Sequence, residues 1–286
     1  MSIWILYHRN CPDGFTAAWV AKKALKTEDD FGFVKFKAMS YGDDVPSQIE
    51  DGDRVYILDF SFARDVIDKL AKRCSVKILD HHQTSEKILK GLPYAFFDSK
   101  KSGAMMTWDY FFPGTEPPQI VKYAQDRDLW TWELNESRAI SAAMRLYDYE
   151  FAKWDTIHWK LNNDFSGMVR DGEVALLLTH QTVSMMIKNC LWAKIGDYMV
   201  PAVNSACFMS EVGNRLLDEY PDAPFSAYFF LTGKGQEHWG LRADGKVNVA
   251  QVAERYGGGG HKNAAAFIVG CNTIDVYSSE EMQEFA

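Results

Sequence analysis

Asp80, His81 and His82 occupy three consecutive positions directly after the run Ser75–Leu79, and near the far end of the chain Gly257–Gly260 is followed at once by His261. Adjacent carboxylate and imidazole groups suit a divalent cation, because oxygen and imidazole nitrogen are the donors such ions take. A glycine run lacks the Cβ atoms that would keep backbone N–H groups away from a phosphate. Together the two patterns point to metal-assisted hydrolysis of a phosphoester. Two-metal chemistry of this kind needs several carboxylates and imidazoles around ions roughly 3.5–4 Å apart, so that one water is activated and the charge on phosphorus is neutralised. His8, Asp13, Asp59, His81 and one of Asp126 or Asp128 can supply that set, with Asp59 as the natural bridging donor because it lies on the middle segment.

Each of these residues has a plainer role when taken singly. A strand-end aspartate commonly caps a helix, neighbouring histidines are often surface groups, and four glycines alone make a flexible turn. What separates this chain from those cases is where the residues fall. Ile3–Tyr7, Arg54–Leu58 and Ser75–Leu79 read as short strands, and Phe62, Val66, Ile67 and Leu70 recur at helical spacing between the last two. Strand–helix–strand alternation predicts a parallel sheet with helices on its faces. The polar segments His8–Asp13, Asp59 and Asp80–His82 each follow one of those strands, and the carboxyl ends of parallel strands form the ligand crevice.

The expected fold is therefore α/β, with a parallel-sheet N-terminal domain over 1–170, a helical linker over 171–196 and a smaller mixed α/β domain over 197–286. Phe15–Leu25, Ser137–Trp159 and Glu173–Trp192 read as helical. In the second domain, strands are expected at Met199–Val203, Phe225–Leu231, Gly240–Arg242 and Ala265–Val269, and helices near Glu211–Glu219 and Val249–Tyr256. With 286 residues, 47% of them hydrophobic, the chain can bury two cores, which excludes a disordered protein. Five scattered cysteines without a CxxC pair signal neither a disulfide framework nor a structural zinc site, so a cytoplasmic location is expected. Met1–Leu6 is too short for a signal peptide and no window suggests a membrane span. A net charge of −8 disfavours long nucleic acid, whose binding requires many Lys and Arg to neutralise phosphates.

Five segments in order resemble the DHH phosphoesterase family with its DHH-associated C-terminal domain. They are His8-Arg9-Asn10-Cys11-Pro12-Asp13-Gly14, Ile57-Leu58-Asp59-Phe60-Ser61, Asp80-His81-His82, Gln125-Asp126-Arg127-Asp128-Leu129-Trp130 and Gly257–Ala265. Within the family the first and fourth segments are most similar to the nanoRNase-like and cyclic-nucleotide phosphodiesterase-like branch. The resemblance implies two manganese ions, with magnesium as the substitute, held by His8, Asp13, Asp59, His81 and Asp128. It also implies that Asp80 orients His81 and that His82 faces the scissile phosphate. On the substrate side it implies contacts from His261, Gly258, Gly259, Gly260, Asn263, Arg242 and Asn204, with the second domain closing over the substrate. Cys11 stands where many relatives carry an aspartate, and a soft thiolate suits manganese poorly. One metal site is then expected to be weaker, or completed by water or Asp126.

The function that follows is hydrolysis of short oligoribonucleotides to mononucleotides. The alternatives are a phosphodiesterase for cyclic mono- or dinucleotides, a 3′,5′-bisphosphate nucleotide phosphatase, or a nucleotide-binding regulator that has lost hydrolysis. The expected partner is a short RNA or small nucleotide, with no membrane, and a homodimer is left open. Trp130 and Trp132 flank the acidic segment and could stack a base, but in a chain with 9 tryptophans core packing is the default expectation. Lys22, Lys23 and Lys26 are expected on a solvated helix face.

Overall fold

The computed structural model of the protein describes residues 1–25 and 33–283. Two compact units divide the chain between Leu176 and Leu177. The first holds a five-stranded sheet of order β2-β1-β3-β4-β5, built from β1 (Ile3–His8), β2 (Val34–Met39), β3 (Arg54–Leu58), β4 (Ser75–Asp80) and β5 (Ala95–Phe97). All four pairings are parallel. Its helices are α1 (Pro12–Leu25), α2 (Arg64–Ala71), α3 (Gln83–Leu89), α4 (Gly103–Phe111), α5 (Gln119–Asp128), α6 (Ser137–Met144), α7 (Phe151–Asn163) and the first half of α8 (Phe165–Met186).

A parallel sheet covered on both faces must be apolar on both, and the strands divide accordingly. Ile3, Ile5, Leu58 and Leu79 pack with α1, α4, α5 and α7 in one cluster. Trp4, Leu6, Ile57 and Ile78 pack with Ile67 and Leu70 of α2 and Leu89 of α3 in another. Alternation along each strand thus feeds two cores. The lysines of α1 are less idle than a solvated face suggests, since Lys22 lies 4.4 Å from the Phe151 ring centre and Lys23 4.4 Å from that of Trp19; Lys26 lies outside the described residues.

Asp53 ties the sheet's amino edge together. Its carboxylate accepts from the Ser2 amide at 2.6 Å, the Glu50 amide at 3.0 Å and the Trp4 indole at 3.1 Å. Burial alone would raise this carboxyl, but the three donors outweigh it and hold its pKa below the ordinary carboxylate value. A depressed pKa contributes stability that is present above the unfolded pKa of about 4 and lost as pH falls through the folded value. Asp53→Asn is therefore expected to destabilise the protein by about 1.5–3 kcal/mol at neutral pH. Denaturant unfolding followed from neutral to acid pH should show the gap to wild type closing below about pH 4; a gap that persists in acid would refute the assignment.

The second unit carries a seven-stranded sheet of order β10-β11-β9-β8-β7-β6-β12. Its strands are β6 (Leu191–Ile195), β7 (Tyr198–Asn204), β8 (Ser226–Leu231), β9 (Gln236–Arg242), β10 (Gly259–His261), β11 (Ala264–Gly270) and β12 (Asp275–Tyr277), with helices α9 (Met209–Glu219), α10 (Val249–Glu254) and α11 (Ser279–Gln283). The β7–β8 pair is parallel and every other pair antiparallel, so the sheet is mixed. The residues 171–196 are not all linker: the helix ends at Met186, and Leu191–Ile195 forms β6 inside this second sheet. None of the helices among the described residues is long and apolar enough to cross a membrane.

Candidate functional site

β1, β3 and β4 are adjacent and in register, with Tyr7 opposite Leu58 and Leu58 opposite Leu79. The residue following each of these three is titratable: His8, Asp59 and Asp80. Asp59 is left-handed, with φ 62°, while its amide still donates to Leu79 O at 2.9 Å. An aspartate tolerates that conformation better than most residues, and strain of this kind at a strand end is typical of sites that aim a side chain.

The Asp59 carboxylate lies between two imidazoles. His81 Nε2 is 3.1 Å from Oδ1 and His8 Nδ1 is 3.5 Å from Oδ2. His81 Nε2 is also 3.4 Å from Asp128 Oδ2, delivered by the last residue of α5. Asp13, in the first turn of α1, accepts from the Ala104 amide at 3.2 and 3.3 Å. Asp13, His81 and Asp128 present ligand atoms within 4.8 Å of one another, as do His8, Cys11 and Asp59. The metal set expected from sequence is thus gathered at one end of the sheet, within one unit.

The electrostatics show what the cluster lacks. Burial, with Asp59 and Asp128 beside it, pushes the Asp13 carboxyl well up; burial also raises Asp128. Burial would lower His81, yet Asp128, Asp59 and Asp13 drive it up to about 10, and Asp59 likewise raises His8 against burial. The two imidazoles in turn hold Asp59 well below the usual range despite its burial. Asp59 Oδ2 is buried and receives no hydrogen bond among the described residues. A buried carboxylate group that recruits protons onto its histidines is short of positive charge, and its O and N donors are those that Mn²⁺ or Mg²⁺ take. The residues present fit divalent ions. The Cys11 thiol, by contrast, is pushed well up by burial and by Asp59, Asp128 and Asp13, so it presents a neutral S–H beside His8 and Asp59.

One assignment changes. Asp80 does not orient the His81 ring: Oδ1 lies 2.7 Å from His82 Nδ1 and accepts the His81 and His82 amides at 2.8 and 3.2 Å, while Oδ2 accepts from Ser61 Oγ at 2.7 Å. With His82 and Ser61 outweighing burial, its pKa falls to about 2. The reason is local, since His82 is the N-cap residue of α3 and stands only two positions beyond Asp80. The Asp126 carboxylate, for its part, is engaged by its own loop. Its oxygens accept from Thr131 Oγ1 at 2.6 Å, from the Glu133 and Leu134 amides at 2.9 and 3.3 Å, and from Ser137 Oγ. Positions two apart on a helix lie about 200° apart around its axis, so only one of Asp126 and Asp128 can face the cluster.

Residues that sequence reasoning passed over complete the site. Ser102 caps α4, accepting from the Met105 amide at 3.4 Å, and Gly103 follows it against Asp59. A Cβ on Gly103 would lie 2.5 Å from Asp59 Cβ. Only the Ser-Gly-Ala helix start hinted at this segment. Tyr41 was also unmarked, and its ring stands edge-on to His8 and His82 at 5.7 Å from each.

The substrate-side candidates lie in the second unit. Gly259–His261 is β10, paired with β11, and Lys262 and Asn263 form the turn between them. Two of the glycines are accounted for by strand packing: a Cβ on Gly258 would lie 2.1 Å from Ala266 O and one on Gly260 2.5 Å from Ala264 O. Asn263 O accepts from the Ala243 amide at 2.9 Å. Arg242 ends β9, donating to Ser210 Oγ at 2.9 Å and to Leu241 O at 2.8 Å, and exposed Asn204 ends β7.

No protein-family model matches the chain. Among curated proteins it is 27% identical over 290 residues to the uncharacterised protein R106 of Acanthamoeba polyphaga mimivirus, covering 93% of this chain and 68% of that one. It is 23% identical over 300 residues to the oligoribonuclease NrnB of Bacillus subtilis, covering 94% and 73%. Among solved structures, the exonuclease RecJ bound to manganese matches with a TM-score of 0.53 at 15% identity, over 94% of this chain and 86% of that one. The DHH domain of a member of a ribosomal-protein family matches with a TM-score of 0.53 at 13% identity, over 99% and 85%. The fold of this chain is the one seen in solved DHH-domain proteins, and its sequence is distantly similar to that of a bacterial oligoribonuclease.

Proposed function

We propose that the protein is a metal-dependent phosphodiesterase that cleaves short oligoribonucleotides to mononucleotides. The observation that carries the reading is Asp59 held between His8 and His81, with Asp13 and Asp128 completing a buried anionic cluster. Similarity to an oligoribonuclease and to a manganese-bound exonuclease supports it. His8, Asp13, Asp59, His81 and Asp128 would hold the divalent ions. Bound there, manganese would supply Lewis-acid neutralisation of the phosphate and a water of lowered pKa. Asp80 fixes the His82 ring through Nδ1, which would orient that imidazole toward the phosphate as an acid for the departing oxygen. Asp59 keeps both imidazoles aimed at one place, so the ligand set needs little reorganisation.

Incubating the purified protein with diribonucleotides and short oligoribonucleotides tests the reading. Mononucleotides are expected to appear only with a divalent metal and to stop on chelation. Cyclic dinucleotides and adenosine 3′,5′-bisphosphate serve as comparators, and faster turnover of either would move the substrate assignment. Absence of any metal-dependent product from short RNA would refute it.

A further inference from the structure

We infer that Arg127, Trp130, Trp132 and Arg138 form a nucleobase-stacking subsite beside the metal cluster. The inference rests on the phosphodiesterase reading for its ligand class and on its own geometry for its place. Neither Trp130 nor Trp132 joins any of the hydrophobic clusters among the described residues, so the expectation of core packing does not describe them. Both indoles are half-buried. Their ring centres lie 4.8 Å apart at 72°. The Arg127 guanidinium lies 4.3 Å from the Trp130 ring centre and 5.5 Å from that of Trp132, and the Arg138 guanidinium lies 4.4 Å from Trp132.

The backbone accepts strain to build this arrangement. Trp130 and Trp132 both have φ 59°, a conformation that bulky side chains rarely adopt. The Trp132 indole N–H is buried without a hydrogen-bond partner among the described residues. Asp126 compensates by fastening the loop at Thr131, Glu133, Leu134 and Ser137. Costs concentrated in one short loop, stabilised by a dedicated buried aspartate, mark a segment shaped for more than folding.

Position supplies the ligand. Trp130 lies two residues beyond Asp128, whose carboxylate is 3.4 Å from His81 Nε2, and Arg127, which stands over the Trp130 ring, directly precedes Asp128. In this reading a nucleotide whose phosphate sits at the metal cluster lays its base against the indoles and its charge toward the guanidinium groups. Aromatic faces stack any base, while guanidinium planes extend the stack and meet phosphate oxygens.

Calorimetric binding of adenosine 5′-monophosphate and of ribose 5-phosphate to the manganese-loaded protein tests the subsite without needing turnover. The base should tighten binding by about 5- to 150-fold in the wild type. Trp130→Ala or Trp132→Ala should erase that ratio, and Trp130→Phe should retain most of it. Equal affinities in the wild type, or no binding of either compound, would overturn the inference. So would a ratio that survives both alanine variants, which would place the base elsewhere, or a Trp130→Phe loss as large as that of alanine, which would mean a supporting role only. Base-dependent binding without hydrolysis of short RNA would sink the phosphodiesterase reading and keep the subsite; hydrolysis with equal affinities would do the reverse.

Discussion

Asp59→Asn is expected to weaken manganese binding by more than about 100-fold, because losing a residue that only supports a metal ligand already costs about 10–100-fold. Turnover of short RNA should fall at least as far. Asparagine is the informative replacement here. It keeps the shape of the side chain and tolerates the left-handed backbone at φ 62°, so the strand end is not disturbed. What it removes is the charge that His8 and His81 share at 3.5 and 3.1 Å. Titration calorimetry with manganese alone, beside thermal unfolding, separates the effects. Wild-type affinity in a folded Asp59→Asn protein would end the assignment of this cluster as a metal centre.

Gly103→Ala should be nearly as damaging without altering a single functional group. The new methyl would lie 2.5 Å from Asp59 Cβ, 2.8 Å from Oδ1 and 2.9 Å from Cα, so relief requires moving the backbone of either α4 or the β3 end. Overpacking of this kind costs about 1–3 kcal/mol of stability. Displacement of Asp59 should also weaken manganese binding by about 10- to 100-fold, the range seen when support for a ligand is disturbed. Ala104, next along, donates its amide to Asp13, so a shift of α4 would disturb two donors together. Gly233→Ala is the control, since no described residue comes within 4 Å of its Cβ position. A Gly103→Ala protein with wild-type unfolding and metal affinity would show that α4 adapts freely.

Both predictions rest on residues of unequal visibility in the sequence. Asp59 was conspicuous because it directly follows a β-branched run, and the carboxyl ends of parallel strands are where ligands meet. Gly103 was silent, because its role comes from an approach to a residue 44 positions earlier in the chain. The short strands β2 and β5 were equally hard to see. β2 alternates lysine with apolar residues and β5 has only three residues, so neither gives a continuous apolar run as long as that of β1.

Local pattern alone settled the α/β character of the chain and the strand-end placement of His8, Asp59 and Asp80, since side-chain period and segment length are properties of contiguous residues. Long-range packing decided the rest. It turned Asp128 toward His81, paired the end of the glycine run with β11, and kept Trp130 and Trp132 out of the core. Those outcomes depend on which groups compete for the same buried donors and the same space, and that competition exists only once distant parts of the chain have met.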